Sequence, residues 1–219
     1  MKIAIIGAGG HARVVYEILR HDNNMEIAAF VDNVVRGSEE KIMGIPVVGD
    51  HSILPKLIKE GIKGYIIGVG DNKIRMQHFN KILNMGLEPI NAVHPTAHIA
   101  YNAKIGKGVV IATGATIATG VIIGNNTIIN TGSIIEHEDI IEDHVHIAPG
   151  TVLAGRVTVK EGAFIGAGSV VKEYVTIGEN ATIGAGSVVL EDVPDNAVAV
   201  GAPAKVIKIK NEGGRIGNE

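Results

Sequence analysis

The chain has 219 residues, room for one large or two small domains, with apolar residues at 46% but aromatics at only 3%. Having no cysteine, it can form no disulfide, thiolate metal site or cysteine nucleophile, and a net charge of -3 gives no electrostatic basis for holding nucleic acid. No apolar run approaches the ~20 residues of a membrane span, and the N-terminus enters a strand without a signal-peptide core, so a soluble, cytoplasmic protein with no membrane partner is expected.

Lys2 to Ile6 reads as a strand, Gly7, Ala8, Gly9, Gly10 and His11 as a glycine turn, and Val14, Val15, Ile18 and Leu19 as the buried stripe of a helix. A second parallel strand, Ile27 to Val31, ends on Asp32 and Asn33. Further strands are expected at Ile45 to Val48, Tyr65 to Val69 and Leu87 to Asn91, with helices from Ser52 to Glu60 and from Lys73 to Met85, the latter closed by Gly86. This alternation predicts a small parallel sheet covered on both faces, a Rossmann-like α/β domain over residues 1–92.

Ligands of an open parallel sheet bind beyond the carboxyl ends of its strands, where three loops meet: Gly7 to His11, Asp32 with Asn33, and Gly68 to Asn72. Glycines there let backbone N–H groups approach phosphate oxygens at a helix N-terminus. A domain of about 90 residues is half of a two-lobed dinucleotide fold, and no hydride-transfer residues follow. A nucleotide-linked substrate fits better than a redox dinucleotide, although a plain βα turn would carry the same glycines.

From Val93 the grammar changes to seventeen uninterrupted hexads. Their first positions, from Val93 and Ile99 through Ile183 and Val189, are all aliphatic, and their fifth positions are small or β-branched, with Asp139 the one charge. A period of six is neither helical nor plain strand alternation; it predicts an all-β solenoid over residues 93–210. With three hexads per triangular coil, the bulky aliphatics point inward, and nearly six coils at strand spacing make a rod roughly 27 Å tall.

Between Ile135 and Val152 the bland outward residues give way to Glu136, His137, Glu138, Asp139, Glu142, Asp143, His144 and His146. A histidine beside a carboxylate is the minimum equipment for general-base catalysis, which singles out His137 with Glu138. An exposed histidine on a solenoid is also ordinary surface. Zinc is a competing reading, but the segment lacks an HxxxH or similar pairing on one face, so no metal is expected.

The hexads, together with IGAGGH, VDN, GVGDNKIR, NTGSIIEHE and VGAPAKVI, resemble the two-domain sugar acetyltransferases of the hexapeptide-repeat acyltransferase family over the chain to about residue 210. That resemblance implies a left-handed parallel β-helix, a homotrimer, and acetyl-CoA as co-substrate in a groove between neighbouring prisms. It puts the catalytic base on His137, its tuning carboxylate on Glu138, and coenzyme contacts on His146, Ala167 and Ala185. Nucleotide-sugar contacts fall on Gly9, Gly10, His11, Asp32 and Asn33, with Asn130 a polar contact to substrate or coenzyme.

The implied activity is N-acetylation of a nucleotide-linked amino sugar, with a UDP-4-amino-4,6-dideoxy sugar the expected substrate. Sialic acid O-acetylation and a non-catalytic trimeric scaffold are the alternatives. Without cysteine or a base-paired serine, direct attack on the thioester is simpler than an acyl-enzyme, with a backbone N–H or His146 polarising the thioester oxygen. Lys205 or Lys208 could meet coenzyme phosphates or simply cap the last coil, and residues 211–219 read as a flexible tail.

Overall fold

The computed structural model describes residues 1–33 and 40–210; the expected flexible tail, 211–219, lies outside the described residues. Apolar runs too short for helices form β1 (Lys2–Ile6), β2 (Glu26–Val31), β4 (Ile45–Val48), β5 (Gly64–Ile67) and β6 (Glu88–Pro89). They lie in the order β4-β2-β1-β5-β6, every neighbouring pair parallel. An unanticipated β3 (Lys41–Ile42) pairs antiparallel with β4 at the sheet edge. The sequence hides β3 because two residues carry no readable alternation.

Three helices connect these strands: α1 (Gly10–Leu19), α2 (Leu54–Lys59) and α3 (Asn72–Ile82). The helix expected from Ser52 is divided, beginning as a 3-10 turn at His51–Ile53 whose cap is the Asp50 carboxylate accepting the Ser52 N–H at 2.8 Å. The expected last strand is also shorter than Leu87 to Asn91, because Asn91 turns its side chain toward the solenoid, donating to Gly106 O and accepting from Val109 N.

From β7 (Ala92–Val93) to β23 (Val188–Val189), two-residue strands recur every six residues. Up to Val170–Val171 each pairs in parallel register with the strand 18 residues on, as Val110 with Ile128 and Ile134 with Val152, so three hexads make one coil and three flat sheets form a prism. The strand run agrees with the left-handed β-helix implied by the family resemblance. We call the faces first, second and third for the sheets starting at β7, β8 (His98–Ile99) and β9 (Lys104–Ile105). Ile111, Ile117, Ile129 and Ile135 are fully enclosed between them. Val93, by contrast, is 40% exposed, and Ile99 and Ile105 are only partly buried, because the first coil has no rung above it. The last coil is closed by β24 (Ala197–Gly201) and β25 (Ala204–Ile209), an antiparallel pair.

Two apolar layers sandwich the N-terminal sheet. One joins Ile3, Ile5 and Phe30 to α1 and to Ala92, Val110 and Ile128 of the first prism face; the other joins Ala4, Ile6 and Ile67 to α2 and α3. The sheet and the prism therefore share a core. Arg75 of α3 pegs the junction, its buried guanidinium donating to the carbonyls of Asn126, His144 and Val145 on the prism and of Gly70 on its own loop. Gly68 permits the close seat of α1, since a Cβ there would lie 2.8 Å from the Ala12 Cα.

Candidate active site

From Gly108 to Gly186 every prism corner holds one residue in the left-handed region, at the fourth hexad position. On the corner between first and second faces this residue is Gly114, Gly132, Gly150, Gly168 and Gly186 in turn. On the corner between second and third faces it is Gly120, Glu138, Arg156 and Tyr174. The three side chains stack at 18-residue spacing along one edge.

His137 stands on that edge, half exposed, with its Nδ1 3.4 Å from Glu138 Oε2. A carboxylate can only accept, so Nδ1 carries the proton and Nε2 keeps a lone pair. The imidazole lies over Gly155 of the next coil, where an added Cβ would fall 2.5 Å from Nε2. Gly155 N–H donates to no acceptor among the described residues, whereas the N–H of Arg156 next to it reaches His137 O at 3.0 Å. Arg156 Nε also donates to Glu138 Oε2 at 2.7 Å, and this bond, followed by the one from His137, holds the Glu138 carboxyl below the usual carboxylate range. The edge thus presents an oriented base beside a buried backbone N–H that has no acceptor among the described residues.

The other members of the charged island do not join this pair. His144, at the corner between third and first faces, is buried against Phe79 and bonded to Asn126 Nδ2. His146, on the first face, is packed beneath the N-terminal unit. Its Nδ1 donates to Gly70 O at 3.1 Å, which leaves Nε2 as the acceptor for Asn130 Nδ2 at 3.2 Å. Burial and the Arg75 charge pull its pKa down to about 4, so the ring is neutral. With its one N–H spent on Gly70, His146 as packed here has none for a thioester oxygen.

Ala167 and Ala185 are exposed on successive coils of the glycine-lined corner, with Gly186 N bonded to Ala167 O. That corner and the His137 corner flank the same second face. Among the described residues, no three histidine or carboxylate groups converge to hold a metal ion.

The three loops of the N-terminal sheet do meet. Gly7, at φ +106°, starts the turn, and Ala8 N–H donates to Asp32 Oδ2 at 2.7 Å, tying the glycine loop to the end of β2. Gly9 caps α1 with no side-chain bond, and nothing lies within 4 Å of a Cβ built on Gly9 or Gly10, so there is room for a ligand beside the start of the helix. His11 follows, 6.2 Å from the His146 ring, its pKa lowered to about 4 by burial and by Arg75. The adjoining cleft has Gly7, Val31, Val69 and Ile74 as walls and Asp32, Asn33, Asp50, His51 and His78 as polar lining. His51 and His78, unnoticed in the sequence, bond to each other at 3.0 Å, and burial keeps both below the usual histidine range. Nothing in the residues around them flags this pair. Gly155, Arg156 and Tyr174 did leave a signal, because adding 18 and 36 to 137 and 138 lands on them.

Two known families match the chain: the PglD N-terminal domain over residues 2–82, and the bacterial transferase hexapeptide repeat over residues 140–173 and 156–191. UDP-N-acetylbacillosamine N-acetyltransferase of Bacillus subtilis is 37% identical over an alignment that spans half of each chain. A histidine-to-asparagine mutant of the perosamine N-acetyltransferase from Caulobacter crescentus, solved with CoA and GDP-perosamine, is 38% identical. It superposes with a TM-score of 0.90 over 95% of this chain and 97% of that one. The acetyltransferase domain of PglB from Neisseria gonorrhoeae, solved with acetyl coenzyme A, is 32% identical with a TM-score of 0.85 over 94% and 98% of the two chains. Prism, glycine loop and imidazole-carboxylate edge thus occur together in a chain that belongs to the hexapeptide-repeat family of nucleotide-amino-sugar N-acetyltransferases.

Proposed function

We propose that this protein transfers the acetyl group of acetyl-CoA to the amine of a nucleotide-linked amino sugar, with His137 as general base. The observation that carries the reading is the His137 imidazole, oriented by Glu138 and lying over an unbonded backbone N–H at Gly155. The neutral amine attacks the thioester carbonyl carbon and a C–N bond forms. His137 Nε2 takes the amine proton, and Glu138 stabilises the imidazolium. The carbonyl oxygen gathers negative charge against Gly155 N–H, the backbone donor of the mechanism. As the C–S bond breaks, the thiolate of CoA recovers the proton from His137.

Residues 1–92 hold the nucleotide, with the diphosphate over Gly9, Gly10 and His11 and the nucleoside in the cleft beside Asp32, Asn33, His51 and His78. Residues 93–210 hold acetyl-CoA, with Ala167 and Ala185 on its path. His146 and Asn130 fix the seam between the two units. The related enzymes carry UDP- and GDP-linked sugars in their names, and a diphosphate-linked amino sugar of that kind is the substrate class.

A trimer is part of the reading. The second face exposes Ile134 and Val170 and the third exposes Ile122 and Ile140, apolar residues that flank the His137 edge and suit contact with further copies of the chain. Expression in the cytoplasm, where acetyl-CoA is made, completes it.

The test is a panel assay following thiol release from acetyl-CoA with UDP- and GDP-linked amino sugars and with free sialic acid. Turnover confined to the nucleotide-linked amines is expected. Release with sialic acid alone, or with none of the acceptors, contradicts the assignment.

A further inference from the structure

Glu138 Oε2 accepts two donors at once: the guanidinium Nε of Arg156 at 2.7 Å and the His137 Nδ1 at 3.4 Å. The shorter contact is the charge-assisted one, so Arg156 holds the larger share of the carboxylate. Arg156 is itself pinned, its Nη1 donating to Tyr174 OH at 2.7 Å and its Cζ 5.5 Å from the centre of that ring. Glu138, Arg156 and Tyr174 have φ of +62°, +63° and +65°, a conformation that L side chains adopt less readily than glycine. The neighbouring corner has glycine at this position in five successive coils, while the corner between third and first faces also seats Asn126, His144 and Asn180 there with positive φ. What sets the His137 edge apart is that its side chains bond to one another from coil to coil, Glu138 to Arg156 and Arg156 to Tyr174, beginning beside His137.

We propose that Arg156, buttressed by Tyr174, is a positioning residue that sets the basicity of His137 by sharing its carboxylate partner. The guanidinium fixes Glu138 in reach of Nδ1 and, by neutralising part of its charge, limits how strongly Glu138 stabilises the imidazolium. Other groups facing His137 do not compete for this role. Glu136 Oε2 accepts the His137 backbone N–H at 3.2 Å, Asp139 points into the prism core, and the coil above supplies Thr119 and Gly120. This inference rests on His137 being the base.

The experiment compares kcat and KM for both substrates across pH in the wild type, Arg156→Gln, Arg156→Lys and His137→Ala. In Arg156→Gln the acid limb of kcat moves to higher pH by about half a unit, the expected scale for removing one nearby, partly solvated charge. KM for acetyl-CoA stays within twofold, and Arg156→Lys returns the limb most of the way. An unmoved limb overturns the proposal, whether activity is normal or uniformly reduced, and so does a KM for acetyl-CoA raised tenfold with the limb in place. His137→Ala separates the failures. If it retains turnover, the base assignment itself falls; if it is inactive while the Arg156→Gln limb is unmoved, only the role of Arg156 falls.

Discussion

Asp139 follows the proposed dyad in sequence yet faces the opposite way, fully enclosed at a fifth hexad position, among small and β-branched residues. Its Oδ1 accepts Val157 N–H at 2.7 Å, its Oδ2 has no partner among the described residues, and burial pushes its pKa up to about 8. The folded chain thus keeps a proton that the unfolded chain releases near the ordinary aspartate value of about 3.9. The unfolded state binds fewer protons between those two values, so the contribution of Asp139 to stability is greatest below about pH 4, falls by up to about 1.4 kcal/mol per unit toward pH 8, and then levels. Asp139→Asn keeps an acceptor for Val157 and has no proton to lose. Its melting temperature relative to wild type should climb steadily from pH 4 to pH 8; a difference independent of pH would show that Asp139 is ionised in the fold. Gly155 yields a second prediction at this scale. Gly155→Ala forces the His137 ring off its seat, so kcat should drop at least tenfold with little change in melting temperature, and wild-type kcat would remove Gly155 from the site.

At the level of elements, the hexads were fully legible, because each coil repeats the same inward aliphatic and no tertiary contact competes with it. The parallel strands and α1 could be read for a similar reason. What could not be read were β3, too short to show a period, and the partition of the charged island, since His137 and His144 lie on different corners and His146 on a third surface. Linear proximity in a solenoid is distance round a coil; proximity in space is 18 residues away. The N-terminal packing was legible only in outline, as Gly68 illustrates. The sequence marks it as part of a loop, whereas the structure makes it the contact on which α1 rests. Gly68→Ala drives a methyl into helix backbone and should cost about 1–3 kcal/mol in denaturant unfolding, while a loss below about 0.5 kcal/mol would mean α1 can lift away freely.

Across the whole molecule, the nucleotide cleft and the prism are joined by a shared apolar layer and by Arg75, a guanidinium with carbonyl partners on both sides of the junction. Burial lowers its pKa to about 9, with the Asp71 charge opposing, so it remains a cation at neutral pH. Arg75→Met leaves those carbonyls unsatisfied and should cost about 3–5 kcal/mol, with KM for the nucleotide sugar rising as the Gly70 loop loosens. Unchanged stability and KM would show that the apolar layer alone aligns the two units. In the proposed reaction the base acts from the corner between the second and third faces, opposite the first face that carries the N-terminal unit, so a sugar held at one chain's glycine loop reaches the His137 edge of a neighbouring copy. Turnover of His137→Ala, followed as thiol release with the preferred nucleotide-linked amine, tests that arrangement most directly. A fall of about 10²–10⁴ with acetyl-CoA affinity preserved is predicted, and turnover near that of the wild type would contradict it.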